Sequence, residues 1–169
     1  MISYLAVTVI ADDRPGIIEK IAEKIKANGG NWLESNMSRL AGKFAGILLI
    51  SVAAKDEESL TTALKNLQNN DIRIQIETSN TSADDNATRI TIHLMANDRP
   101  GIIAELSALF ARNQINVEEL ATWCESAPMS AELLFKAVAS VAIPENLSLD
   151  DLTDLLESLS DDLVVEFET

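Results

Sequence analysis

Apolar and polar positions along this chain change rhythm in the same order twice. Residues 4–11 alternate, with Leu5, Val7 and Val9 on one side and Ala6, Thr8 and Ile10 on a less apolar other side, the period of a half-buried strand. Over 17–27 the period lengthens. Ile17, Ile18, Ile21, Ala22 and Ile25 form one stripe and Glu19, Lys20, Glu23, Lys24 and Lys26 fall opposite it, which predicts a helix laid on a sheet. Asn28-Gly29-Gly30 stops that helix. A strand is expected over 31–39, a turn over 40–43 and a further strand over 44–53, whose run FAGILLISVA is apolar almost throughout, as in the middle of a sheet. Leu60, Ala63, Leu64 and Leu67 return to helical spacing over 57–69, and Ile72, Ile74 and Ile76 alternate in a fourth strand.

The order then restarts. Ala11-Asp12-Asp13-Arg14-Pro15-Gly16-Ile17-Ile18 comes back 85 positions later as Ala96-Asn97-Asp98-Arg99-Pro100-Gly101-Ile102-Ile103, and Asn28, Asn31 and Glu34 return as Asn113, Asn116 and Glu119. A period this long is too large for a solenoid repeat and fits two copies of a small domain. Residues 78–88 (TSNTSADDNAT) hold no large apolar side chain and read as a linker. We therefore expect domains at 1–78 and 89–169 joined by 79–88. The second copy predicts strands over 90–96, 116–123, 131–142 and 163–167, with helices over 101–112 and 148–159. Leu60 and Leu67 align with Leu152 and Leu159, so the second copy carries about seven more residues, in the turns near 125–130 and 144–147. Each copy is β-α-β-β-α-β, an α+β, ferredoxin-like arrangement with two helices on one face of a four-stranded antiparallel sheet.

Charge narrows the functions such a fold can serve. The formal net charge is -14, and it is uneven: residues 1–84 carry nine bases and eleven acids, residues 85–169 four and sixteen. Phosphate binding needs clustered Lys and Arg, so direct contact with nucleic acid is not expected. RNA-recognition domains share the fold but need stacking aromatics on a basic sheet, and this chain has one Tyr and four Phe. The acidic second half is either a solvated face or a docking face for a basic partner. No apolar run suits a signal peptide or membrane span, and the single Cys124 excludes an intrachain disulfide. A cytoplasmic protein is the expectation.

The doubled D-R-P-G-I-I turn after a strand, the amphipathic helix behind it and the Asn-initiated strand that follows resemble the tandem ACT-domain proteins, and among them the glycine cleavage system transcriptional repressor group. The resemblance covers the whole chain. It implies regulation by a small molecule, an amino acid with glycine among the candidates, bound at a domain or subunit interface near the first strand-to-helix loop. It also implies a homodimer or intramolecular ACT pairing, and a protein partner such as a DNA-binding activator. The alternative it leaves is a stand-alone regulatory subunit that docks on and controls a metabolic enzyme.

The turn itself offers chemistry for an amino acid. Arg14 precedes a proline and suits a helix N-cap, with Pro15 at the first helical position. Gly16, Ile17 and Ile18 would then present unpaired amides and the positive end of the helix dipole to a carboxylate, and Gly101, Ile102 and Ile103, after Pro100, would do the same. Asp12 and Asp13, or Asn97 and Asp98, are candidates for the ammonium. Asn31 and Asn116, opening the second strand near the same end of the sheet, would reach the ligand across an interface. The competing reading is structural: the acids satisfy the turn, Pro and Gly set its geometry, and the asparagines cap the preceding helix. His93 is solitary and no metal site is assembled around it. Neither a nucleophile with its base nor a phosphate loop can be put together, so we expect a non-enzyme without a cofactor.

Overall fold

The computed structural model describes residues 1–79 and 87–168. The chain divides into two compact units, Met1–Ala83 and Asp84–Thr169. Most of the expected linker, residues 80–86, lies outside the described residues. Its ends do not: the Ser79 amide donates to the Tyr4 carbonyl at 2.8 Å, and Thr88 already pairs with Ile143 as a strand residue.

The first unit runs β1 (Ile2–Asp12), α1 (Ile17–Ala27), β2 (Asn31–Leu40), β3 (Lys43–Ala53), α2 (Glu57–Lys65) and β4 (Ile72–Thr78). Its antiparallel sheet has the order β2-β3-β1-β4. The second unit repeats this with β5 (Thr88–Asn97), α3 (Ile102–Arg112), β6 (Asn116–Ser126), β7 (Leu133–Ile143), α4 (Leu149–Glu157) and β8 (Val164–Glu168), in the order β6-β7-β5-β8. Both units have the ferredoxin-like α+β fold that the hydrophobic pattern predicts.

Each unit closes on its own core. In the first, Leu5, Val7 and Val9 of β1 and Leu48, Ile50 and Val52 of β3 face Ile17, Ile21 and Ile25 of α1 and Leu60 and Leu64 of α2. In the second, Ile90, Ile92 and Leu94 and the alternate residues of β7 meet Leu106, Leu109 and Phe110 of α3 and Leu152 and Leu156 of α4. No polar or charged side chain among the described residues is buried. The opposite face of each sheet is left open, because both helices lie on the core side.

Three expectations are corrected. The second helix does not run to 69: α2 ends at Lys65 and tightens into a 3-10 stretch over Asn66–Asn70, which ends at Asp71 in the left-handed region at φ 59°. That stretch keeps Leu67 in the core while turning the chain into β4. The helix behind the repeated turn begins at Ile17, not at Pro15, and Ile102 likewise opens α3. Finally, β6 continues past 123 to Ser126, because its pairing with β7 extends to Leu133.

Candidate functional site

The Arg14-Pro15-Gly16-Ile17 step explains the late helix start. Gly16 has φ 90° and ψ 2°, and Gly101 φ 90° and ψ -1°, the values of the third residue of a type II turn, with proline in the second. Glycine, not Arg14, is therefore the N-cap. Its carbonyl accepts the first helical hydrogen bond, from Lys20 at 3.1 Å in one unit and Glu105 at 3.0 Å in the other. A residue held at this φ is a matter of glycine's missing Cβ rather than of room for a ligand. No side chain caps either helix, so the amides of its first turn lack a side-chain acceptor at the N-cap.

In the first unit the turn borders an open hollow of about 250 Å³ lined by Asp13, Arg14, Gly16, Ile17, Ile18, Glu19 and Phe44. It lies just under the range of about 300–1,000 Å³ of drug-sized ligand sites, which suits a small molecule. Of the first-copy candidates, the hollow gathers Asp13, Gly16 and Ile17, with Pro15 shaping the turn beside it. It does not gather Asp12, which alternation turns to the open face of the sheet, where it pairs with Lys43. The hydrogen bond and charge of that lysine hold the Asp12 carboxyl below its ordinary pKa.

Nor does it gather Asn31. Asn31 pairs with Ser51, and Ser51 with Tyr4. Asn31 thus stands at the start of β1, eight residues from Asp12, a distance of about 26 Å at the rise of a strand. Asn116 is placed likewise, through Ala142, beside Arg89. The sequence expectation had both asparagines near the turn; α1 and α3 instead carry the chain back to the far end of the sheet before β2 and β6 begin. The residues that close those helices are Asn28 and Asn113, whose side-chain amides donate to the carbonyls of Lys24 at 2.8 Å and Leu109 at 2.9 Å.

Phe44 and Glu19 are members of the hollow that sequence reasoning missed. Phe44 is paired with Ala11, and the Asp13 amide donates to the Gly42 carbonyl at 2.9 Å, so the β2–β3 hairpin folds against the turn. Asp13 also faces Arg39, at 3.5 Å. An ammonium group at Asp13 would exchange with that guanidinium. Glu19 brings a carboxylate to within 3.9 Å of where a Gly16 Cβ would stand, at the positive end of the helix.

The second turn is built on the same backbone with different charges. Lys20 is replaced by Glu105 at the equivalent position, and Arg99 grips it with two bonds, Nη1 to Oε1 at 2.8 Å and Nη2 to Oε2 at 2.6 Å. Arg14, with Lys20 rather than a glutamate at the equivalent position, donates to the Asn70 carbonyl. On the core side of Arg99 and Glu105 a gap of about 10 Å³ is lined by Leu94, Leu106, Phe135, Leu159 and Leu163. Asp98 is held at its amide by the Leu133 carbonyl at 2.8 Å, and the Asn97 amide donates to Asp162 at 2.8 Å. Cys124 occupies the place of Arg39; loss of water and then the neighbouring Asp98 push its thiol above the ordinary value, so it is protonated at neutral pH and is no activated nucleophile.

The Arg99 hydrogen bond depresses the Glu105 pKa, and the same contact raises that of Arg99. A depressed carboxyl favours the fold above its unfolded pKa and loses that contribution as pH falls through the folded value. Carboxyl NMR is expected to place the Glu105 titration below the usual glutamate range, and Arg99→Ala to return it there. A Glu105 midpoint indifferent to Arg99→Ala would contradict the pairing.

Among the described residues no helix is long and apolar enough to cross a membrane, and no group of three or more His, Cys, Asp or Glu is placed to hold a metal.

Residues 3–77, within the first unit, match the ACT domain family model. The second unit, which the family model does not match, repeats the element order and sheet topology of the first, and the chain is similar to the glycine cleavage system transcriptional repressors. Over 120 residues it is 26% identical to the glycine cleavage system transcriptional repressors of Escherichia coli (strain K12) and Shigella flexneri, a match that takes in 69% of this chain and 63% of theirs. The crystal structure of an unknown protein from Galdieria sulphuraria superposes with a TM-score of 0.84 at 26% identity, covering 99% of this chain and 98% of that one. A candidate glycine cleavage system transcriptional repressor shares the fold, with a TM-score of 0.71 at 18% identity over 100% of this chain and 99% of its own.

Proposed function

We propose that this chain is an amino-acid-responsive regulator that acts on transcription through contact with another protein, as its resemblance to the glycine cleavage system repressors suggests. The observation that carries the reading is the coincidence of an ACT match over residues 3–77 with an open hollow at the D-R-P-G-I-I turn of that same unit. An amino acid there would set its carboxylate against the first-turn amides of α1, displacing Glu19, and its ammonium against Asp13. Glycine, with no side chain to place, needs the least room. The net charge of -14 supports action through a protein rather than on DNA.

In this reading the domains are 1–78 and 89–169, the protein is cytoplasmic and not an enzyme, and the first turn senses while the second, gripped by Arg99 and Glu105, binds weakly or not at all. Asn31 and Asn116 contribute only across an interface with another ACT domain, in a homodimer or within the chain. Coupling requires that the ligand favour one arrangement of domains over another.

Titration calorimetry with the common amino acids tests this. We expect one of them to bind at about one per chain and Asp13→Ala to weaken it by about tenfold or more, the loss of a charged hydrogen bond. Unchanged affinity in Asp13→Ala would remove the site assignment. Affinity capture by the full chain, read by mass spectrometry, then separates the partners: a transcription activator supports the reading, and a metabolic enzyme alone overturns it.

A further inference from the structure

The open face of the second sheet differs from that of the first in a way the turn does not explain. Strand register lays its residues out in rows. Trp123, Lys136, Met95 and Val164 lie side by side across β6, β7, β5 and β8, and the next row is Ala121, Val138, His93 and Glu166. These rows surround a hollow of about 290 Å³. Trp123 is 43% exposed and Val164 48% exposed on this face, in one row with Met95, so the apolar surface here forms a strip across the sheet. At the equivalent rows of the first sheet stand Ser38, Ala45, Ile10 and Arg73, then Asn36, Ile47, Thr8 and Gln75. One copy of a duplicated surface has thus acquired a tryptophan and a valine where the other keeps a serine and an arginine.

Acids stand at both edges of this apolar strip. Glu125 on β6 holds Lys136 at 2.5 Å and accepts from the Trp123 indole at 3.3 Å, leaving the lysine's aliphatic stem over the strip. Glu166 and Glu168 line β8, the latter 3.2 Å from His93. The half that carries them has four bases against sixteen acids.

We infer that this face seats a short segment of a partner protein whose apolar side chains are flanked by Lys or Arg. The inference rests on the reading of the chain as a regulator that acts by protein contact, and names the surface and the partner's chemistry. Apolar side chains would cover Trp123, Met95, Val138 and Val164, and flanking bases would meet Glu125 on one side and Glu166 and Glu168 on the other. A second copy of the same face is disfavoured as occupant, because it would bring these acids against their own counterparts.

Trp123 reports on the face directly, since Trp32 is the other of two tryptophans and lies in the first unit. In the Trp32→Phe chain, a synthetic peptide of alternating leucine and lysine is expected to cause a saturable shift in Trp123 emission. Replacing its leucines by serine should abolish the shift. Glu166→Lys with Glu168→Lys should weaken binding about tenfold, whereas the same reversal on α4, Asp154→Lys with Glu157→Lys, should change it less than about twofold at physiological salt. Where the reversal disturbs folding, Glu166→Gln with Glu168→Gln gives the same ordering at smaller size. Equal losses from the two reversals, binding of the serine peptide or an unshifted Trp123 would each overturn the proposal. A natural partner still captured after Glu166→Lys with Glu168→Lys would overturn this face alone and leave the regulatory reading in place.

Discussion

Gly46→Ala is expected to destabilise the first unit by about 3 kcal/mol, at the upper end of what overpacking a core usually costs. Gly46 sits in β3 opposite Met37 of β2. A Cβ there would lie 2.2 Å from the Asn36 carbonyl oxygen, 2.6 Å from the Met37 Cα and 2.7 Å from the Met37 Cγ. Two of these three contacts are backbone, so no change of rotamer relieves them and the strands must part. The second unit shows the alternative solution: Ala137, buried in β7, pairs with Thr122, the counterpart of Met37. Glycine with methionine and alanine with threonine fill the same place with volume moved across the strands. Urea unfolding followed by Trp32 in a Trp123→Phe background should show the midpoint falling by about 1 M or more, given an m-value of roughly 2 kcal/mol per M. The companion measurement by Trp123 in a Trp32→Phe background should move less. A Trp32 midpoint lowered by under about 0.3 M would mean the strands accommodate the methyl group.

The same comparison of copies shows how much could be read from the chain and how much could not. Element order was legible because strands and helices here are strongly amphipathic: Leu5, Val7 and Val9, or Ile17, Ile21 and Ile25, admit one period each, and the structure buries these residues. The D-R-P-G-I-I doublet marked the two turns for the same reason that it marks the duplication. The turn's conformation was less accessible. Proline is favoured both as the first residue of a helix and as the second of a type II turn, and only the φ of 90° at Gly16 and Gly101 decides between them. The position of Asn31 was open to deduction, since a helix after a strand returns the chain to that strand's beginning, yet residue spacing alone does not say which end is reached. Least legible was the charge lock of the second turn. Arg99 and Glu105 stand six apart with a turn between them, a spacing that no helical rule links, and the pair is recognisable only once the turn brings Arg99 back over α3.

Those two glycines allow the cause of their conservation between the copies to be tested within one molecule. Gly101→Ala is expected to cost about 1–2 kcal/mol and Gly101→Val about 2–3 kcal/mol, the penalty for holding an L-residue, and then a β-branched one, on the left-handed side. Space is not the issue, because a Cβ at Gly101 would meet nothing within 4 Å. At Gly16 the nearest atom would be the Glu19 carboxylate at 3.9 Å, an ordinary contact, so the same substitutions there should cost about as much. A D-alanine introduced by semisynthesis at either position prefers positive φ, and it should leave stability unchanged or raise it by up to about 1 kcal/mol through the unfolded chain. If L- and D-alanine destabilise equally, the turn is not held by torsion and the glycines answer to something else. The site reading adds a second expectation at Gly16. Valine there reorients the first-turn amides of α1 and should abolish amino-acid binding, whereas D-alanine keeps the backbone and should retain it. Valine at Gly101, where Arg99 and Glu105 already close the turn, should lower stability and leave the calorimetric titration unchanged.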